Sequence, residues 1–383
     1  MGAVRSECQA NYKRNRFYTL LTGSLDSLGL EVNADVTLNN QQSRAAHKAT
    51  LKLSQDGLST SATTSVNFKP LMLENEFNAG IGSSGAVMKM MANGRYREHS
   101  TKISVDGKVS MMELSLGSVY QATILGLDSK NLLNFKISRE GLKFSNNLMG
   151  SYDQVKLEHS NDLSIVGTTL QFTSKFENSL SSDKFHKHRF DFQMQPYTMI
   201  SLLNNELQYG SLELTNGAQL QLELFKLNIN GNVRGAFNKD EIKHSYGFSI
   251  GNMAASLNTD TVANIQGTAH THRFSLDIAG LSASLSSNTN CEAKSMRFSN
   301  MIRSVVEPFT ITIDSQTNGD GRLLIFGEQS GQLYSKFILK AEPLSFNLVH
   351  NYRGSTRHSL GTGYTHETLL DYKINLCSHQ QSS

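Results

Sequence analysis

Tryptophan is missing from the sequence, proline occurs four times, cysteine occurs three times, and no run of about 18 apolar residues is present. The last absence excludes a membrane-spanning helix. The N-terminus MGAVRSECQANYKRNRF has no apolar stretch of the kind a secretory signal needs, so the signal of a secreted parent is expected outside this chain. Cys8, Cys291 and Cys377 lie far apart without CxxC spacing, which signals neither a zinc site nor a disulfide framework. Hydrophobic residues make up only 38%, a share that promises no thick conventional core. Charge of one sign is also scarce. The 36 basic and 33 acidic residues leave a net +3, too little for a field that would attract nucleic acid. The clusters Lys13-Arg14-Asn15-Arg16 and His186-Lys187-His188-Arg189 are short, and read either as solvated polar surface or as a weak contact to an anionic surface.

What the sequence does have is alternation. Leu28, Leu30, Val32, Ala34, Val36 and Leu38 occupy every second position, with Gly29, Glu31, Asn33, Asp35 and Thr37 between them. In a strand this sends the two sets to opposite faces, whereas a helix of period 3.6 would scatter the apolar set around its circumference. The pattern recurs at Ala49, Leu51 and Leu53, at Leu71, Leu73, Phe77, Ala79 and Ile81, and at His188, Phe190, Phe192 and Met194. Leu227, Ile229, Val233 and Phe237 keep the parity, as do Phe274, Leu276 and Ile278. Phe309, Ile311 and Ile313, then Leu344, Phe346, Leu348 and Tyr352, complete it. Of these positions, all but Ala34, Ala49, Leu51, Leu53, Ala79, Ile81, His188, Phe237 and Tyr352 are the candidate lipid-facing residues.

Asp56-Gly57, Asn93-Gly94, Asp106-Gly107, Glu140-Gly141, Asn216-Gly217 and Asn318-Gly319 are expected hairpin turns, because Gly and Asn accept the positive φ that tight antiparallel turns require. No stretch long enough for a crossover helix separates the strands, which argues against βαβ units. Residues 197–207 are the one helical possibility. The expected fold is therefore all-β: a large continuous antiparallel amphipathic sheet, a meander of hairpins, curved or partly rolled. Its expected extent is 16–373, with 1–15 poorly defined and 374–383 a disordered tail. Such a sheet must cover its apolar face with another sheet, a closed barrel interior or lipid.

Local motifs add no chemistry. Gly80-Ile81-Gly82-Ser83-Ser84-Gly85 matches GxGxxG, but only seven residues, 86–92, follow before Asn93-Gly94, too few for the helix that would receive a pyrophosphate. Asp314, Gln316, Asn318 and Gly319 resemble the start of a calcium loop, with Ile325 where the bidentate glutamate belongs, so Asn318 to Gly321 reads as a turn between Ile313 and Leu323. His186 with His188, and His270 with His272, share strand faces without a third ligand, and are expected to face solvent or an edge. No GxSxG elbow occurs. No catalytic, cofactor or metal residue is nominated.

Three long strings carry a resemblance: HKATLKLSQDGLSTSATTSVNFK (47–69), GSVYQATILGLDSKNLLNFKISREGLKFSNNLMGSY (117–152) and TNGDGRLLIFGEQSGQLYSKFILKAEPLSF (317–346). They are similar to the central β-rich region of vertebrate apolipoprotein B, and the likeness runs from about residue 11 to about residue 373. The terminal MGAVRSECQ and CSHQQSS fall outside it, as a truncated reading frame would produce. The resemblance implies a secreted structural protein of low-density, very-low-density and chylomicron-type particles. It would be assembled in the endoplasmic reticulum and would carry triglyceride and cholesteryl ester. Its implied partners are neutral lipid, phospholipid and the remainder of a parent chain, with no nucleic acid and no membrane-spanning segment. No basic run matches the family's receptor-binding segment, so no receptor residues are carried over. A membrane β-barrel and a self-covering β-sandwich or solenoid remain the rival readings. The barrel lacks visible aromatic girdles.

Overall fold

In a computed structural model, the chain is described over the backbone of residues 2–324, 328–360 and 364–379, and over the side chains of 2–322, 329–358, 376 and 377. Every element is a strand. Twenty-six succeed one another from Gly2–Tyr12 to Tyr364–His379, with no helix among the described residues. Residues 197–207 are no exception, since the strand Thr198–Tyr209 pairs there with Leu212–Glu223, matching Leu207 to Leu214 and Leu203 to Ala218. Their spacing suits a helix locally, but cross-strand pairing decides.

The chain divides into two units, Met1–Pro196, with fourteen strands, and Tyr197–Ser383, with twelve. Strands begin at Gly2, inside the segment left undefined by the sequence, and continue to His379, inside the expected tail; 380–383 lie outside the described residues. Within each unit every strand runs antiparallel to its sequence neighbours, and among the described residues only sequence neighbours touch. In the first unit Gly2–Tyr12 pairs with Asn15–Asp26 alone, so that sheet does not close on itself.

Most strands have 12 residues and are joined by two, as in Gly29–Asn40 and Ser43–Ser54. Twelve residues at 3.4 Å each span about 40 Å. Several turns place both linking residues at positive φ, for example Leu125 (53°) with Gly126 (81°) and Gln266 (51°) with Gly267 (78°). This is the turn geometry whose twist matches paired strands. Of the expected turn dipeptides, Asp56-Gly57 and Glu140-Gly141 lie at turn-to-strand junctions, whereas Asn93-Gly94, Asp106-Gly107, Asn216-Gly217 and Asn318-Gly319 lie inside strands. A hairpin at any of these four would cut a strand in half and forfeit its ladder. The stretch matching GxGxxG is the end of Leu71–Gly82, the turn 83–84 and the start of Gly85–Tyr96.

No thick core forms. Ala122, at 7% exposure, is the sole buried hydrophobic residue among those described, and no polar residue is buried. The accessible surface is 26190 Å² for 42.3 kDa, against about 15,000 Å² expected of a compact monomer of that mass. Within each unit the described strands thus form a single layer.

Candidate functional site

Residues paired directly across an antiparallel ladder share a face, so the registers assign every strand residue to one side of its own unit. In Gly29–Asn40 the even positions Leu30, Val32, Ala34, Val36 and Leu38 pair with Leu53, Leu51, Ala49, His47 and Ala45. The same side continues through Leu58 and Val66 to Leu71, Leu73 and Phe77. Its far end in this unit carries Leu170, Phe172 and Phe176 against Met194, Phe192 and His188, with Phe190 opposite Ser174. The second unit repeats the arrangement. Leu227, Ile229 and Val233 share a side with Leu222, Leu220 and Asn216, and Phe274, Leu276 and Ile278 with Thr259, Leu257 and Ala255. Ile311 and Ile313 pair with Ala341 and Leu339, which in turn pair with Phe346 and Leu348.

Every candidate within a strand therefore falls on the apolar side of its unit. Leu28, Phe309 and Leu344 do not belong to strands: they sit in turns, because the strands begin at Gly29, Thr310 and Ser345. Alternation alone cannot mark where a strand gives way to its two linking residues.

Charge is segregated almost completely. Among strand residues with described side chains, each Asp, Glu, Lys and Arg lies on the opposite, polar side, except Lys184 and Asp240, which open their strands. The polar side is laced with cross-strand ion pairs. Arg234 bridges two strands, with Nη1 3.1 Å from Glu213 Oε2 and Nε 2.6 Å from Glu241 Oε1. Hydrogen bonds from Lys243 and Arg234 hold the Glu241 carboxyl below its ordinary range, and Lys136 does the same for Glu113. These groups are half-buried to exposed and none is shut off from solvent, so each pair adds little stability alone.

The histidine pairs share a side with the large apolar residues rather than with the charged ones. His186, His188, His270 and His272 lie on the apolar side, as do His47, His159 and His244. The parity of His188 with Phe190 and Phe192 was the available signal. They contribute to a polar row near mid-strand that interrupts the apolar side. In the second unit it runs through His244, Thr261, His272, Thr289, Asn300, Thr317 and Ser335, each directly opposite the next. Its members bond in pairs: His244 Nδ1 lies 2.8 Å from Thr261 Oγ1, His272 Nδ1 lies 2.8 Å from Thr289 Oγ1, and Asn300 Nδ2 donates to Thr317 Oγ1 at 2.7 Å. His47 Nδ1 and Thr64 Oγ1 repeat the motif in the first unit at 2.8 Å. Sequence reasoning missed this row, because each member is an isolated polar residue until the register aligns them.

The stretch resembling the start of a calcium loop is not a loop. Asn318 to Gly321 lie within the strand Thr310–Leu324 rather than in a loop, and Ile325 is outside the described residues. No cluster of three or more His, Cys, Asp or Glu suited to a metal ion occurs among the described residues.

The profile of a family described as the apolipoprotein B100 β-belt matches residues 1–383. Apolipoprotein B-100 of Homo sapiens is 52% identical over 372 residues, and that of Rattus norvegicus is 49% identical over 373, each match covering 97% of this chain. The chain spans 8% of the length of each of these relatives.

Proposed function

The chain belongs to the apolipoprotein B100 β-belt family, and from that premise we propose that it is a structural lipid-binding strip of a lipoprotein particle. Its apolar side would lie on neutral lipid and phospholipid acyl chains while its polar side meets water. The matched relatives carry the name of a lipoprotein structural component, not of an enzyme.

One observation carries the reading: within each unit the described strands form one layer in which charge, Lys184 and Asp240 apart, lies on one side, while most of the large apolar residues lie on the other and a minority, among them Leu20, Met91, Phe185, Leu202 and Ile338, share the charged side. A self-covering sandwich would need contacts between strands distant in sequence, and within each unit there are none among the described residues. Lipid removes the apolar side from water without leaving backbone groups unpaired, since the ladder satisfies them. Each half-exposed Leu, Ile, Val or Phe gains about 1 kcal/mol on adsorption, so a strand with four or five gains about 5 kcal/mol and many strands together make desorption negligible. Secretion, assembly in the endoplasmic reticulum, a cargo of triglyceride and cholesteryl ester, and partnership with the rest of a longer chain belong to the same proposal.

Flotation tests it. The purified chain, mixed with phospholipid-coated triolein droplets, should rise with them and stay bound at high salt, because apolar adsorption is not screened. A soluble monomer that remains in the subphase would refute the proposal.

A further inference from the structure

The two long edges of the Tyr197–Ser383 unit differ. At one edge the linking residues are Leu224-Phe225, Asn252-Met253, Gly280-Leu281, Pro308-Phe309 and Pro343-Leu344, and each pair ends in a large apolar residue. The described turns of the other edge are Gly210-Ser211, Asn238-Lys239, Gln266-Gly267 and Lys294-Ser295. Phe225, Met253, Leu281 and Phe309 are 82–92% exposed, more than the strand side chains of the apolar side. Phe225 and Met253 also hold φ of 63° and 61°, a left-handed conformation that bulky residues avoid and that Gly or Asn would adopt freely. Turn chemistry alone would not select them. Successive tips are two strands apart, about 10 Å, and the Gly280 N–H donates to the Met253 carbonyl at 3.1 Å, tying one turn to the next.

We propose that this edge inserts into the acyl-chain layer of a phospholipid monolayer while the Ser211, Lys239 and Ser295 edge stays in water, so that this unit lies obliquely on its lipid. The proposal rests on the lipid-binding reading above and adds a direction within the plane of the sheet. A second copy is a poor occupant. The line is one residue deep, so its contact area falls well below the roughly 1,000 Å² of a specific interface, and turn tips offer no strand edge to extend. Acyl chains, by contrast, accept a row of isolated apolar side chains without complementary shape. The row is also interrupted by no charged tip, whereas Lys239 and Lys294 occupy the opposite edge.

The absence of tryptophan makes the test direct. Full-length Phe225→Trp and Ser295→Trp each carry one tryptophan, at opposite edges. Both are adsorbed to triolein droplets coated with phosphatidylcholine, part of it brominated in mid-chain. The expected result is a blue-shifted emission quenched by the brominated chains for F225W, and a red emission quenched by aqueous iodide for S295W. Equal quenching at the two edges, with both variants floating, would overturn the edge proposal and leave the lipid reading intact. Failure of both to float would overturn the two together. A blue shift of F225W without lipid that disappears on dilution would assign the edge to a second copy. As a second measurement, Phe225→Asn with Met253→Asn should retain the β circular dichroism spectrum and flotation but lower the surface pressure at which the chain still enters a monolayer. An unchanged pressure would count against insertion.

Discussion

Consider two double substitutions in the strand Gly29–Asn40 that add identical charge: Val32→Lys with Val36→Lys, and Asn33→Lys with Thr37→Lys. Val32 lies opposite Gly23 and Leu51, and Val36 opposite Thr19 and His47, all on the apolar side. Val36 is 37% exposed before any lipid arrives, so adsorption recovers roughly a third of the 1.5–3 kcal/mol that full burial of a valine is worth, under 1 kcal/mol per site. A lysine on a lipid-facing strand position costs about 2–4 kcal/mol at mid-membrane and less near an interface, so about 1–2 kcal/mol applies at a particle surface. Its ammonium has little escape, because position 36 is four residues, about 14 Å, from the strand end at Asn40. The sum is about 2 kcal/mol per site and about 4 for the pair, a thousandfold loss in partitioning.

The control places its lysines on the polar side, where position 33 lies between Glu31 and Asp35. It forfeits the Thr50 Oγ1 donation to Asn33 Oδ1 at 2.7 Å, a cost of about 1 kcal/mol to the sheet but not to adsorption. Binding to phospholipid-coated triolein droplets is best measured with residues 15–68, four strands, so that the rest of the chain cannot mask the loss. Equal loss in the two variants would show that charge, not facing, governs binding, and the amphipathic-sheet mechanism would fall for this strand.

Two further outcomes follow from the backbone and the polar side. Gly57 has φ of 140° and a Cβ there would meet the Ile81 carbonyl oxygen, whereas Gly210, with φ of 59°, has open space. Gly57→Ala should therefore cost about 3 kcal/mol and Gly210→Ala about 1, read as hydrogen-exchange protection of the flanking strands on lipid; similar costs would refute the clash. Glu241 titrates below its ordinary range because Lys243 and Arg234 stabilise the carboxylate, so its small contribution is fully present above the ordinary carboxylate value and is lost as pH falls through the depressed folded value. Glu241→Gln should flatten only that acid limb in a pH series of strand protection, and an effect at neutral to alkaline pH would contradict the assignment.

Facing was legible in the sequence and turn position was not, for one physical reason. Facing depends on composition at period two, and the hydrophobic effect enforces it over each strand as a whole, even where a Leu20 or Phe185 falls on the charged side: Leu30, Val32, Val36 and Leu38 cannot change sides without the whole strand doing so. Turn position depends on where two 12-residue ladders stop, and the ladder outweighs local preference. Asn93-Gly94 and Asn216-Gly217 are good turn formers held in strands, while Leu125, Phe225 and Met253 are poor ones held at positive φ. The polar row and the contrast of edges were hidden for the same reason. His272 and Thr289, 17 residues apart, become neighbours only once every turn between them is placed.

Alternation fixes facing but leaves register free to slip by two residues, and a repetitive sheet has many such slips available. The row of His–Thr and Asn–Thr pairs across the apolar side opposes slipping in one direction, because a two-residue shift that set His244 opposite Ala263 would deprive its Nδ1 of the Thr261 hydroxyl. Chain length is policed separately. In Met1–Pro196 the links recur every 14 residues from 13–14 to 167–168, the one after the shorter strand His99–Val109 taking three residues, 110–112, and the next follows after 15, at 182–183; in Tyr197–Ser383 the spacing returns to 14 from 210–211 to 308–309. One extra residue would reverse every face beyond it. Between Thr169–Ser181 and Lys184–Gln195 the ladder instead skips from Ser179 to Ser181, leaving Leu180 as a bulge. Phe172 consequently lies opposite Phe192 rather than Gln193, and Phe176 opposite His188 rather than Arg189. Bulges absorb an added residue by local distortion. Here the distortion is confined to the end of one hairpin, and Phe190, Phe192 and Met194 remain on the side that the strands before them established.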